Sequence, residues 1–239
     1  MEANEYAKMA AWEDEFWWFQ ALRDNQQAFL PDGPLKLLDA GCGTGGWLKR
    51  LADTRPDISC VGLEYDPGAA VIARQKSGAE IYCGSVNGMP FAPASFDIVT
   101  SSDVLCHVAV EEGTALDEFA RVLKPGGALL MNLPAYQWML SAHDHRVHNA
   151  RRYYEGGVRK LLAAHGFRVQ RASYWNSALF PLMAAKRLLS PKDAGSDVAR
   201  LPPLVEASFR AATRAETAIL KTGCGLPFGG SLMVLARKV

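Results

Sequence analysis

The chain has 239 residues, 49% of them hydrophobic, and sets 26 basic against 25 acidic side chains for a formal charge of +1. That length and apolar content suit one large α/β domain with a full core, and the near-neutral balance excludes a global field that would recruit nucleic acid or an anionic membrane. Five cysteines without a C-x-x-C pair point to a reducing, cytoplasmic protein, and with Met1 to Glu15 polar and acidic and no run reaching ~18 apolar residues, neither secretion nor an integral membrane segment is expected.

In chain order, a helix is expected over Glu13 to Leu30, crowded with Trp17, Trp18 and Phe19. Leu35 to Asp39 then reads as a buried strand, running into the loop Asp39-Ala40-Gly41-Cys42-Gly43-Thr44-Gly45-Gly46 and an amphipathic helix, Trp47 to Thr54. Glycines in such a turn allow positive φ and bring a ligand close to main-chain N–H groups, which the partial positive charge of the helix N-terminus reinforces. A nucleotide-like cofactor is the natural occupant. The loop fits both G-x-G-x-x-G, at Gly41, Gly43 and Gly46, and D-x-G-x-G-x-G, from Asp39 to Gly45. Glu64, at the end of the next strand (Ile58 to Glu64), is placed to accept two hydrogen bonds from ribose hydroxyls. NAD and S-adenosylmethionine are equally served by these residues.

Beyond Glu64 the pattern predicts a helix over Pro67 to Gln75, strands at Glu80 to Cys83 and Phe96 to Ser101, a helix over Glu111 to Leu123 and a strand at Ala128 to Leu133. A long loop from Asn132 to Tyr154 precedes a helix, Glu155 to His165, stopped by Gly166, and a strand, Phe167 to Tyr174. Two further helices, Ala178 to Leu189 and Leu204 to Lys221, flank a linker at Ser190 to Pro203, and Ser231 to Lys238 is the last strand. Strands alternating with helices imply a parallel sheet with right-handed crossovers. The expected layout is an N-terminal helical lid (1–34), a core (35–176), a helical insertion (177–228) and a final strand (229–239) within one domain.

Gly84-Ser85-Val86 follows the third strand, Ser95-Phe96-Asp97-Ile98-Val99 opens the fourth, Asp103-Val104-Leu105-Cys106-His107 follows it, and Arg121-Val122-Leu123-Lys124-Pro125-Gly126-Gly127 leads into the fifth. With these motifs in this order, the chain resembles the class I S-adenosylmethionine-dependent methyltransferases over roughly Leu35 to Val169. The resemblance implies a doubly wound, mostly parallel, Rossmann-like sheet of seven strands with the last antiparallel, and S-adenosylmethionine as cofactor with S-adenosylhomocysteine as product. It places the methionine part of the cofactor at Gly41, Gly43 and Gly45, the ribose on Glu64 and the adenine beside Tyr65. Ser85 stands where many relatives carry an aspartate for the adenine amino group, with the Val86 N–H beside it. Cys42, Ser102, Leu105 and the lid residue Trp18 complete the expected cofactor set.

In open α/β sheets ligands lie outside the carboxyl ends of the strands, so the loops after the fourth and fifth strands should face the transferred methyl. The stretch Asn132 to Tyr154 interleaves aromatic residues with His143, His145, His148, Asp144, Arg146, Arg151 and Arg152. His143 and His107 are the candidate general bases and Asp144 the residue that would orient a histidine. Tyr136, His148, Arg152 and Tyr153 are the candidate acceptor-binding residues. His143, Asp144 and His148 are of metal-ligating types, but loop spacing alone does not make a site and no metal is expected. Leu179, Phe180, Leu182, Met183, Leu188 and Leu189 would form an apolar acceptor pocket, a dimer contact or, with Lys186, Arg187 and Lys192, a peripheral membrane face. The expected activity is methyl transfer from S-adenosylmethionine to an oxygen or nitrogen of a small molecule by in-line displacement. Nucleic acid is not expected as acceptor, since no broad basic face or RNA-binding module is present. A nicotinamide-dependent oxidoreductase and a non-catalytic S-adenosylmethionine-binding protein are the competing readings.

Overall fold

A computed structural model describes residues 10–189 and 202–239. Residues 1–9 of the expected lid, residues 190–201 of the expected linker with its Lys192, and the side chains of Lys186, Leu188 and Leu189 lie outside the described residues. Seven strands form one sheet in the order β3-β2-β1-β4-β5-β7-β6: β1 (Leu35–Ala40), β2 (Ile58–Glu64), β3 (Glu80–Cys83), β4 (Phe96–Ser102), β5 (Leu123–Pro134), β6 (Phe167–Trp175) and β7 (Ser231–Lys238). The pairs β1–β2, β1–β4, β2–β3 and β4–β5 are parallel. β7 enters antiparallel between β5 and β6, as Leu133↔Leu232 and Ala172↔Val234 show.

Helices cover both faces, which is why the central strands read as unbroken apolar runs. The two-residue strand period sends alternate side chains to opposite layers. Leu37, Ile98, Leu130 and Met233 pack toward α1 (Trp17–Phe29), α2 (Gly46–Thr54) and α3 (Pro67–Ser77), through Leu22, Leu48, Leu51 and Ala73. Leu38, Val99, Leu129 and Val234 pack toward α4 (Glu112–Val122) and, past the short α5 (Ala142–Arg146), toward α6 (Glu155–Ala164), through Leu116, Phe119, Val158 and Leu162. The inserted helices are α7 (Phe180–Leu189) and α8 (Pro203–Lys221). α8 lies along α1, where Trp17 meets Phe209 edge-on at 5.3 Å and Thr217 donates to Asn25 Oδ1 at 2.6 Å.

The N-terminal helix differs from expectation. It begins at Trp17 rather than Glu13, and residues 13–15 form a turn. The cause is long-range: the Glu13 carboxylate accepts from Thr44 Oγ1 at 2.6 Å, Lys76 Nζ at 2.6 Å and Arg23 Nη2 at 2.9 Å, contacts that a helix through Glu13 would forgo. The expected loop after β5 also has structure. A 3₁₀ turn at Gln137–Met139 leads into α5, which Ser141 and Asp144 close with a reciprocal capping box. Among the described residues no helix is long and apolar enough to cross a membrane.

Candidate active site

The loop between β1 and α2 turns on three glycines at positive φ: Gly41 (+87°), Gly43 (+56°) and Gly45 (+85°). The Gly41 and Cys42 N–H groups donate to the Leu63 carbonyl at 2.8 and 3.0 Å, tying the loop to the end of β2. Glu64, buried at 5% exposure, accepts from the Gly43 N–H at 2.9 Å and from the Asp66 N–H at 3.0 Å. Its carboxylate therefore shapes the loop and faces the cavity at once. A Cβ on Gly41 would overlap Val104 Cγ2, so only glycine leaves the cradle open. Beneath the loop, burial pushes the Asp39 carboxyl up to about 7, against the pull of the 2.8 Å hydrogen bond from Thr100.

These residues line a cavity of about 1210 Å³, more than the ~300–1,000 Å³ of an ordinary small-molecule pocket. Gly41, Cys42, Gly43, Glu64, Tyr65, Ser85, Val86, Ser102 and Trp18 all border it. Tyr65 stands at the rim, 75% exposed, and Ser102 Oγ accepts from Gln26 of α1 at 3.0 Å. Two expected cofactor residues are elsewhere. Gly45 faces α3, where a Cβ would lie 2.8 Å from Ala73 Cα, so its positive φ serves helix packing. Leu105 is sunk in the core at 1% exposure, because the chain turns inward as the His107 N–H bonds the Val104 carbonyl.

His107, His143, Asp144, His148 and Arg152 border the same cavity. The rings of His107 and His148 lie 5.6 Å apart, and burial, helped by the nearby His148 and Arg151, lowers the His107 pKa to about 4. Asp144 requires a correction: rather than orienting a histidine, it accepts from both Arg152 nitrogens at 3.1 and 2.9 Å and from the Ser141 N–H and hydroxyl at 2.9 Å. Tyr136 and Tyr153 also depart from expectation and lie outside the cavity lining. Tyr136 stacks on Tyr174 at 5.3 Å, and the buried Tyr153 hydroxyl is held between the Leu105 carbonyl and Glu112 at 2.9 and 2.8 Å. Among the described residues no group of three His, Cys, Asp or Glu is arranged to hold a metal ion.

Sequence reasoning missed Glu13, Asp103 and Asn176, which also border the cavity. Asp103 sat in a quoted motif that was read through its histidine. Glu13 gave no local signal, since it comes to the cavity through Thr44 and Lys76, far away in sequence, and Asn176 follows β6 without a motif of its own.

A buried carboxylate at the end of β2, an open glycine cradle and an aromatic cover from Trp17, Trp18 and Phe19 fit an adenosyl sulfonium. A dinucleotide fold would run 3-2-1-4-5-6 in parallel; the antiparallel β7 wedged between β5 and β6 instead defines the methyltransferase class of Rossmann-like sheet. Known proteins agree. A family model described as a methyltransferase domain matches residues 38–131. An uncharacterized methyltransferase of Mycobacterium leprae is 30% identical over 175 residues, 70% of this chain and 61% of that protein. The 24-methylenesterol C-methyltransferase 2 of Oryza sativa is 35% identical over 114 residues, 45% of this chain and 30% of that protein. In the solved structure of an S-adenosylmethionine-dependent methyltransferase from Thermotoga maritima, 19% identical, the same fold covers 99% of this chain and 95% of that one with a TM-score of 0.64. Residues 38–131 thus match a methyltransferase domain, and the whole chain has the fold of a solved S-adenosylmethionine-dependent methyltransferase. It spans less than two thirds of the length of these curated relatives, whose wider circle is named for sterol, tRNA and demethylmenaquinone acceptors.

Proposed function

We propose that this chain methylates an oxygen or nitrogen nucleophile of a small molecule. One observation carries the reading: a single cavity joins the glycine cradle and Glu64 to the polar cluster of His107, His143 and His148, with volume for a donor and an acceptor together. The Gly41 to Gly43 backbone, Glu64, Ser85 and Val86 would hold the cofactor. When bound, it supplies a methyl on a sulfonium, a leaving group good enough that alignment and desolvation of the nucleophile do most of the work. Trp17, Trp18 and Phe19 exclude water from that end. His107 is neutral at physiological pH and offers a hydrogen bond, while His143 and His148 position the acceptor from α5 and the turn after it.

A small acceptor is favoured over nucleic acid because two of the three arginines in the loop after β5, Arg151 and Arg152, are already engaged inside the protein. Arg151 donates to the Leu105 and Val110 carbonyls at 3.0 and 2.9 Å, and Arg152 is held by Asp144. The five free cysteines support a cytoplasmic setting, and residues 1–239 act as one unit whose lid and insertion meet through α1 and α8. The test is transfer of labelled methyl from S-adenosylmethionine in the presence of small-metabolite, RNA and protein fractions. Label in the small-metabolite fraction alone is the expected result. Label in RNA overturns the acceptor class, and donor binding without S-adenosylhomocysteine release in any fraction returns the non-catalytic reading.

A further inference from the structure

Among the described residues, five non-glycine residues occupy the left-handed backbone region, and three of them, Asp103, His148 and Asn176, border the cavity. Unfavourable backbone persists where surrounding structure enforces it, and it concentrates at functional sites. Asp103 is the carboxylate among them. Its φ of +54° turns it from the end of β4 into the cavity. Its N–H donates to the Asn132 carbonyl at 2.9 Å, and Asn132 Nδ2 donates to both carboxylate oxygens at 3.1 Å. The amide cannot turn over, because its Oδ1 is taken by the Trp175 indole N–H at 2.8 Å and both residues are fully buried.

The neighbours single Asp103 out. The adjacent Val104 forms the wall against Gly41, so Asp103 stands at the junction of the donor and acceptor halves. Asp144 is tied to Arg152 and Ser141, Asp39 lies under the loop with Thr100, and Glu64 holds the Gly43 and Asp66 N–H groups. Among the described residues the Asp103 carboxylate accepts from the Asn132 amide alone, and it borders the cavity. Trp17, Phe209, Leu182 and Met183 add apolar surface to the same cavity lining, and Leu182 is 60% exposed.

We propose that Asp103 is the catalytic base of this site and that the acceptor presents an O–H or N–H to it from the end of an apolar body. The inference rests on the methyl-transfer reading above. The oxygen or nitrogen lone pair forms the new bond to the methyl carbon, the carbon–sulfur bond breaks with its electrons going to sulfur, and the proton passes to the Asp103 carboxylate. Burial raises the Asp103 carboxyl to about 7, with Asn132 and Arg152 opposing and Asp144 adding to the rise; His107 and His148 border the same space. Proton acceptance therefore weakens as pH falls through 7.

The test uses full-length wild-type protein and Asp103→Asn, a change that keeps the shape and tolerates left-handed backbone. The probes are para-pentylphenol, para-pentylaniline and n-octylamine. Wild type is expected to methylate at least one probe, with kcat/KM losing its plateau below about pH 7, and D103N to bind S-adenosylhomocysteine within threefold of wild type while losing about 10²-fold or more in turnover, the scale of general-base help. In donor-free protein, carbon-13 NMR of the Asp103 carboxyl should titrate near 7 and shift on addition of para-pentylphenol. D103N that keeps a tenth or more of wild-type turnover, an Asp103 titration below 5, or donor-binding wild type that methylates none of the probes overturns the inference. Wild type that fails to bind S-adenosylhomocysteine overturns the underlying methyl-transfer reading instead.

Discussion

Glu64→Gln replaces one carboxylate oxygen by an NH₂ group while conserving shape, and two separate losses follow from the geometry. Glu64 receives the Gly43 and Asp66 N–H groups, one on each oxygen, at 2.9 and 3.0 Å. An amide accepts from only one of them, so the other N–H faces a donor and loses its partner, a cost of about 1–3 kcal/mol when the group is buried. The second loss falls on the ligand. A ribose hydroxyl that meets a neutral amide in place of a carboxylate gives up a charge-assisted hydrogen bond of about 1.5–3 kcal/mol, or about 10- to 150-fold in Kd. Calorimetric titration with S-adenosylhomocysteine reads the second loss and thermal melting of the unliganded protein reads the first. The reasoning is refuted by a variant that binds within threefold of wild type, and the loop-shaping part of it by an unchanged melting temperature.

Other variants separate steric from electrostatic effects. Gly41→Ala pays both left-handed strain at φ +87° and overlap with Val104, whereas Gly33→Ala pays only strain, at φ +89° with nothing within 4 Å; G41A should lose about 1–3 kcal/mol more, read as the gap between their urea midpoints, and no gap would dismiss the overlap. Glu13→Ala leaves Arg23 and Lys76 without their shared carboxylate, and with Asp14 still contacting both at 3.1 and 2.9 Å the cost should sit near the low end for a buried pair, about 3 kcal/mol. Faster amide hydrogen exchange across Trp17–Phe29 would accompany it, and unaltered exchange would refute the claim that the Glu13 contacts hold this segment in place. Asp39 gives a pH signature. Its folded pKa of about 7 lies above the ordinary 3.8, so between those values the folded state holds more protons than the unfolded one and stability falls as pH rises. Asp39→Asn should melt above wild type at pH 8 and level with it near pH 4, and equal gaps at both pH values would refute the assignment.

Much of the architecture was legible because strand and helix periods are local. Leu37 and Leu38 announce a strand buried on both faces, and Gly41 and Gly43 announce a turn that only glycine makes without strain. The reading failed where a distant partner outbid the local pattern. Glu13 belongs to a helical stretch by composition, yet Thr44, Arg23 and Lys76 pull it into a turn. Tyr136 and Tyr153 sit beside cavity residues in the chain, but Tyr174 and Glu112 hold them away from it.

The sequence by itself determined the sheet, the glycine cradle with Glu64 and the kind of cofactor, since each depends on residues close together in the chain. Only the tertiary structure decided which polar groups near β4 and β5 are engaged and which are available. Asp144 is consumed by Arg152, and Asp103 is aimed by Asn132 and Trp175, partners 29 and, for the Trp175–Asn132 bond, 43 residues apart. A carboxylate's chemistry follows from its hydrogen bonds and burial, and those are set by chain segments that meet only once the sheet has closed.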